Sequence, residues 1–200
     1  MVHQIDLIYG FGWLGFGLIH SLLARDGVKS QLKPLLGTAY RLAYNIFAAL
    51  QVMVLYGIGL WLYGDMGPYL LAGWLSSSLT VLYIAGWILM VLALREYDLG
   101  LFSGLKQVRT KMTNDEEPLH FKGFHRFVRH PIYSAAFLIL WGRVRDEFSL
   151  MTAVFASLYL WIGCFFEERQ LIRLYGDQYR FYKSQVPAFI PYKGRVDLGE

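Results

Sequence analysis

The stretch Pro131–Glu168, PIYSAAFLILWGRVRDEFSLMTAVFASLYLWIGCFFEE, decides the fold of this chain. It contains two apolar runs, Pro131–Gly142 and Phe148–Phe166, which only the charged segment Arg143–Glu147 separates. A helix as long as the second run can cross a bilayer, whereas the first run covers only about 18 Å of the roughly 30 Å hydrocarbon core. The stretch therefore predicts a helical hairpin in a membrane, with a short or tilted first arm.

The composition of the whole chain also indicates a membrane protein. Of the 200 residues, 56% are hydrophobic and 17% are charged, whereas soluble domains carry about 25% charged residues. Further apolar runs predict membrane-spanning helices at Ile5–Leu23, Leu42–Tyr63 and Leu79–Leu94. We interpret Ser76–Ser78 as the boundary between the third of these and a short interfacial segment. The predicted fold class is all-α, a polytopic membrane protein with about five transmembrane helices.

The distribution of positive charge predicts the orientation. All Lys and Arg residues except Arg143 and Arg145 lie in the loop after the first span, in the connector or in the tail. The positive-inside rule then places the N-terminus outside and the C-terminus in the cytosol, in a membrane such as the bacterial inner membrane. The net charge of +4 is assigned to lipid contact, and nucleic acid is not expected as a partner.

Residues 1–200 are predicted to form one integral membrane domain. Within it, residues 1–94 hold the N-terminal transmembrane helices, 95–130 form a cytosolic connector, and 131–200 form the cofactor-binding hairpin and tail. Near-helical spacing of apolar residues in the tail predicts an amphipathic interfacial helix. Gly176 is expected to break this helix, and prolines to end it. In the connector, Thr113–Pro118 is predicted to be a flexible loop.

The hairpin would bring Arg129-His130-Pro131 to the same membrane face as Glu167-Glu168. Each group alone has an ordinary interpretation, since a proline suits the first turn of a helix and two acids can point into water. Ionisable groups at such a boundary are nevertheless functional candidates. Together they would suit a ligand with separated charges, such as S-adenosylmethionine. Carboxylates suit its ammonium or ribose, Arg or His its carboxylate, and aromatic rings its sulfonium.

Four motifs at the C-terminal end resemble the signature of the isoprenylcysteine carboxyl methyltransferases and phospholipid N-methyltransferases, which are integral membrane enzymes. They are RHPIY at 129–133, EERQL at 167–171, YGDQYRFY at 175–182, and the Val-Pro and Ile-Pro pairs at 186–187 and 190–191. The N-terminal half resembles NnrU-like proteins and methanethiol S-methyltransferases more closely. The motifs there are IHSLLA at 19–24, YRLAYN at 40–45 and DLGLFSGLKQ at 98–107.

This resemblance implies a membrane methyltransferase that binds S-adenosylmethionine in a cytosol-facing pocket. Ala188 replaces an arginine of the prenylcysteine enzymes, and Ala135 replaces a glycine of the family. The expected acceptor is accordingly a small thiol or a membrane-borne molecule, with membrane lipids as further partners. The expected cofactor-binding residues are Arg129, His130, Pro131, Tyr133, Glu167, Glu168, Tyr179 and Tyr182.

Arg95 and Asp98 are the predicted catalytic residues. Arg95 falls where the carboxyl methyltransferases carry a functional arginine, and Asp98 could accept a thiol proton or merely pair with Arg95. The other candidate proton acceptors, His20, His120 and His125, could equally be a hydrogen-bonded helix end or solvated connector residues.

No metal site is predicted, because the histidines lack ligand spacing and Cys164, the one cysteine, is interpreted as a buried apolar residue. Two other functions stay open. One is a non-catalytic, NnrU-like membrane helper or sensor, and the other is an NADPH-dependent enzyme similar to sterol reductases.

Overall fold

The computed structural model describes residues 2–111, 119 and 121–196. In these residues all regular elements are helical, which confirms the predicted all-α fold. The predicted loop Thr113–Pro118 and His120 lie outside the described residues. The α-helices are α1 (Val2–Ala24), α2 (Asp26–Leu36), α3 (Tyr40–Leu62), α4 (Gly73–Leu94), α5 (Leu99–Ser103), α6 (Leu105–Thr110), α7 (Pro131–Gly142) and α8 (Glu147–Gln185).

Four helical segments are long and apolar enough to cross a membrane, and α7 is a shorter apolar helix. The long segments are α1, the run from α2 to α3, α4 and α8. Their large apolar side chains are widely exposed, for example Leu7 at 62%, Val54 at 62% and Trp61 at 81%. Exposed apolar surface of this extent marks contact with a membrane. The protein is therefore an integral membrane protein, as predicted.

The chain forms two compact units, one of residues 1–66 and 97–118 and the other of residues 67–96 and 119–200. In the first unit, hydrogen bonds join α1 and α3 near both ends. The Tyr63 hydroxyl donates to Asp6 over 2.8 Å, and the Tyr44 hydroxyl lies 2.6 Å from His20 Nε2. These bonds explain why two polar residues are tolerated in the first apolar run.

Two polar segments of the first unit that lie within the described residues also form regular structure. The basic segment after α1 folds as α2 and a short 3-10 turn rather than as a loop. The turn between α5 and α6 packs against α3, where Asn45 Nδ2 donates to the carbonyls of Phe102 and Ser103 over 3.1 and 3.0 Å. Gly104 has a φ of +92°, and a Cβ there would lie 2.9 Å from Leu42 Cα. Two of the N-terminal sequence motifs therefore form one packing contact.

In the second unit, α4 packs closely against α7. A Cβ at Gly86 would lie 2.8 Å from the backbone nitrogen of Ile139. The prediction of a helix start at Leu79 is wrong, because α4 begins at Gly73 and continues through Ser76–Ser78. The Ser78 hydroxyl donates to the carbonyl four residues earlier over 2.9 Å, so it needs no break in the helix.

The turn between α7 and α8 is fixed by side chains. Arg145 donates to the Ser76 carbonyl and to Thr80 Oγ1 over 3.1 and 2.9 Å, and Asp146 forms a capping box with Ser149 that starts α8. A capping box satisfies two helix N–H groups that would otherwise be unpaired. The predicted hairpin is thus confirmed.

The tail continues the second arm of the hairpin. α8 runs without interruption through Glu167-Glu168, so the tail helix is not separate from the membrane helix. The predicted break is present, with Gly176 at φ 56° and ψ −128°, and the helix ends at Gln185, just before Pro187. A residue that precedes proline is disfavoured in the helical conformation, which accounts for this end.

Replacing Gly142 by alanine is expected to lower the free energy of unfolding. The new Cβ would lie 2.7 Å from Tyr83 Cα and 2.8 Å from the Leu79 carbonyl oxygen, so α4 and α7 would have to separate. Overpacking of this kind costs about 1–3 kcal/mol. Gly163→Ala in α8 is the control, since its Cβ would meet nothing within 4 Å. Equal thermal unfolding midpoints for the two variants in detergent would contradict the close contact.

Candidate active site

The hairpin brings His130 next to both acidic residues. His130 Nε2 lies 3.1 Å from Glu168 Oε1, and Nδ1 lies 3.7 Å from Glu167 Oε2. His130 directly precedes Pro131, the first residue of α7, while the acids lie on α8. The predicted meeting of these residues is confirmed.

Glu168 is the centre of a buried ion-pair cluster. Its side chain is 7% exposed, and its oxygens lie 2.6 Å from Arg129 Nη2 and 2.7 Å from Lys183 Nζ. Because an unpaired buried carboxylate is costly, these cations are what allow it to be charged there. Sequence reasoning missed Lys183. In a straight helix, Lys183 would lie 15 residues and about 22 Å from Glu168. The one feature of the sequence that indicates a closer approach is Gly176, where the helix can turn.

Arg129 holds the tail against the hairpin. Its Nε donates to Glu168 over 2.8 Å, and its Nη1 donates to the carbonyls of Lys183 and Val186. Its backbone N–H donates to the Pro187 carbonyl over 2.9 Å. All three guanidinium nitrogens are therefore engaged within the protein.

Glu167 differs from its neighbour because its side chain is 45% exposed. It accepts a hydrogen bond of 2.8 Å from the Tyr133 hydroxyl. The ring of Tyr133 stacks on His130 with centroids 5.3 Å apart, and Phe189 lies 5.8 Å from His130. A carboxylate has about four acceptor positions. Glu167 therefore retains capacity for a donor from a ligand, beside an aromatic wall.

The two tail tyrosines are buried in a core with Val186. The Tyr182 hydroxyl donates to the His125 carbonyl over 2.8 Å, so it has a structural partner. The Tyr179 hydroxyl is buried and has no hydrogen-bond partner among the described residues. An orphaned buried hydroxyl calls for an explanation, and an absent ligand is one.

Pro131 is buried at the first position of α7, where proline is favoured.

Arg95 and Asp98 lie in the segment after α4. Arg95 is the exposed C-cap residue of α4. Asp98 caps α5, accepts from the N–H groups of Gly100 and Leu101 over 3.0 Å each, and pairs with Lys106 Nζ at 2.7 Å. The hydrogen bond from Lys106, followed by the one from Leu101, lowers the pKa of Asp98 below its ordinary value. Asp98 is thereby held in its charged form and is a weaker base.

The other candidate histidines have structural partners. His125 is 4% exposed, and its Nδ1 lies 3.1 Å from Glu96 Oε2, so the interpretation as a solvated residue is wrong. It is buried because the loop that carries it folds back onto the end of α4. His20 is paired with Tyr44, as the helix-end interpretation requires.

Cys164 is buried, as predicted, and lies near the cluster. Donor atoms of Cys164, His130 and Glu168 lie within 4.8 Å of one another, a spacing that could suit a metal ion. Arg129 and Lys183 already neutralise Glu168, however, and a divalent cation would be repelled by both. The donor set therefore favours an ion-pair cluster over a metal centre.

Neither a protein-family model nor a solved structure matches the chain. Curated relatives do. The chain is 29% identical over 204 residues to the methanethiol S-methyltransferase of Crocosphaera subtropica, across 94% of this chain and 76% of that protein. It is 30% identical to methanethiol S-methyltransferase 1 of Bradyrhizobium diazoefficiens, across 90% and 65%. Nurim of Xenopus laevis is 29% identical, across 86% and 61%.

These relationships agree with the resemblance of the N-terminal motifs to methanethiol S-methyltransferases and, through the wider family, with that of the four C-terminal motifs. Several methanethiol S-methyltransferases among the relatives support a membrane methyltransferase, and such an enzyme requires a methyl donor. The chain spans about two thirds to three quarters of the length of these enzymes. These relatives, the methanethiol S-methyltransferases and nurim, are members of the isoprenylcysteine carboxyl methyltransferase-like family of membrane proteins, to which the chain is similar over most of its length.

Proposed function

We propose that this protein transfers a methyl group from S-adenosylmethionine to a small thiol at the membrane surface. The observation that carries the proposal is the half-exposed carboxylate of Glu167 beside the stacked rings of His130 and Tyr133. The methanethiol S-methyltransferases among the relatives support a methyl transfer and a small acceptor.

The residues present suit this donor. When bound, S-adenosylmethionine supplies a methyl group on a positively charged sulfur. Glu167 can accept hydrogen bonds from an ammonium or from ribose hydroxyls, and the faces of Tyr133 and Phe189 can lie against a cation. The orphaned hydroxyl of Tyr179 can donate to a polar group. Methyl transfer needs mainly the alignment of donor and acceptor and the exclusion of water.

The geometry suggests different roles for residues that the sequence placed in one set. Glu167 and Tyr133 would contact the donor, because the hydrogen bond that joins them leaves acceptor positions on the half-exposed Glu167 for a ligand. Glu168 and Arg129 would act as positioning residues that fix His130 and the tail. Catalytic roles for Arg95 and Asp98 are proposals as well, with Arg95 as a cation that favours a thiolate and Asp98 as a proton acceptor.

The role of Asp98 has a kinetic test. If it accepts the thiol proton, Asp98→Asn is expected to lower kcat by about 100-fold, as for loss of a general base, with donor affinity unchanged. Lys106→Gln is the comparison variant, because it removes the ion pair that lowers the pKa of Asp98 but leaves the carboxylate, so kcat is not expected to fall. An unchanged kcat in Asp98→Asn would leave this residue only its role as the cap of α5.

We propose that the protein lies in a bacterial inner membrane, with the site facing the cytosol and the N-terminus outside. Support comes from the positive charge, since only Arg143 and Arg145 lie on the opposite side of the predicted topology. Cysteines introduced at Ser184 and at Asp65 would test this orientation by their accessibility in intact cells. We expect the cysteine at position 65 to be accessible from outside and the one at position 184 not to be.

The function is tested with purified protein, labelled S-adenosylmethionine and a panel of thiols, amines and carboxylates, with mass spectrometry of the products. We expect a methylated thiol. NADPH binding in place of S-adenosylmethionine would contradict the proposal. Donor binding without any methylated product would favour the second candidate, a non-catalytic membrane helper. The similarity to nurim, whose name states no activity, keeps that candidate open.

A further inference from the structure

A cleft in the second unit has three basic residues in its lining, and none of its lining residues is among those proposed to bind the methyl donor. Its volume is about 500 Å³, which is within the usual range for ligand sites of about 300–1,000 Å³. Its lining combines basic side chains, two phenylalanines and one acid. These residues are Lys122, Arg126, Arg195, Phe124, Phe127 and Glu96.

The charge of the cleft is not balanced within the described residues. Its one acid, Glu96, accepts from the Phe124 N–H over 2.9 Å and lies 3.1 Å from His125 Nδ1. The guanidinium groups of Arg126 and Arg195 make no hydrogen bond or ion pair with another residue of the described part of the chain. This contrasts with Arg129, whose guanidinium is fully engaged. Two residues of the lining therefore carry guanidinium groups that no residue of the described part of the chain engages.

The wall of the cleft is built by specific contacts rather than by a loose loop. Gly123 has a φ of +59°, and a Cβ there would overlap the carboxylate of Glu96. The Val196 N–H donates to the Arg126 carbonyl over 2.9 Å, which joins the tail to the same loop. A preformed site loses less entropy when a ligand binds.

The position of the cleft identifies the source of the ligand. Glu96 follows the last residue of the membrane-spanning helix α4, Leu94, by two positions. The cleft therefore lies at the depth of the lipid head groups, where anionic phospholipids attract Lys and Arg. Guanidinium groups bind phosphate oxygens through two parallel hydrogen bonds. We propose that this cleft binds the phosphate head group of an anionic phospholipid.

Native mass spectrometry of the full chain, titrated with phosphatidylglycerol or phosphatidylcholine, tests this proposal. We expect one tightly retained phosphatidylglycerol and no equally retained phosphatidylcholine. The double variant Arg126→Gln/Arg195→Gln removes two positive charges from the cleft. It should weaken the retention of phosphatidylglycerol by about ten- to thirtyfold. The matched control is Arg173→Gln/Arg180→Gln, which removes the same charge from the exposed surface of α8.

The remaining outcomes each decide the question. Equal retention in the cleft variant and the control, or equal binding of both lipids, would overturn the proposal. Glycerol phosphate that competes as well as the lipid would show a soluble ligand and would also overturn it. If the double variant does not fold, Arg195→Glu alone, at an exposed tail position, must still weaken retention. None of these readouts depends on methyl transfer, so failure here leaves the proposed function untouched.

Discussion

Glu168→Ala is expected to lower the thermal unfolding midpoint of the purified protein strongly. Arg129, with a side chain only 9% exposed, would lose its carboxylate partner. His130 Nε2 would lose the Glu168 oxygen that faces it. Removal of one member of a buried ion pair costs about 3–5 kcal/mol, because the other charge stays buried without compensation. The measurement is thermal unfolding in detergent, followed by fluorescence of the tryptophans.

The neighbouring acid provides the control for this prediction. Glu167→Ala removes the same charge one position away, but its side chain is 45% exposed, so we expect only a small change. In the double variant Glu168→Ala/Arg129→Met, the loss should be smaller than in Glu168→Ala, because no unpaired guanidinium remains. Similar unfolding midpoints for Glu167→Ala and Glu168→Ala would contradict the distinction between the two acids.

Glu167→Gln is expected to have the opposite phenotype, with a stable fold and weak donor binding. Hydrogen bonds to charged groups contribute about 1.5–3 kcal/mol, which corresponds to about a ten- to 100-fold loss of affinity. Isothermal titration with S-adenosylmethionine measures this loss directly. Tyr133→Phe should show a smaller loss, since it removes only the hydroxyl that orients Glu167 and keeps the aromatic face.

A matched control for Glu167→Gln lies at the other end of the same helix. Glu147 also accepts a hydrogen bond from a tyrosine, Tyr69, but at the start of α8, remote in sequence from the ion-pair cluster. Glu147→Gln should therefore leave donor affinity unchanged. Equal affinity in Glu167→Gln and Glu147→Gln would show that Glu167 does not contact the donor.

The membrane helices and the hairpin could be predicted because they depend on patterns that are local in the sequence. The length of the apolar runs and their charged boundaries specify the helices, and the short Arg143–Glu147 segment forces α7 and α8 to be neighbours. That neighbourhood is what brings His130 to Glu167 and Glu168.

The parts that could not be predicted depend on tertiary contacts. Lys183 reaches Glu168 only through the turn at Gly176, and no pattern specifies the direction of that turn. His125 looked solvated because its segment is polar, yet Glu96 from a distant helix end buries it. The serines in α4 looked like a boundary because serine is a weak helix former. Composition alone also could not separate the half-exposed Glu167 from the buried Glu168.

An experimental structure of the full chain with S-adenosylhomocysteine, the product of the methyl donor, tests the central proposal most directly. We predict ligand density within hydrogen-bond distance of Glu167 and against the ring of Tyr133, with the pairs of Glu168 to Arg129 and Lys183 intact. Ligand density elsewhere, for example between Arg126 and Arg195, with Glu167 bonded only to Tyr133, would contradict it.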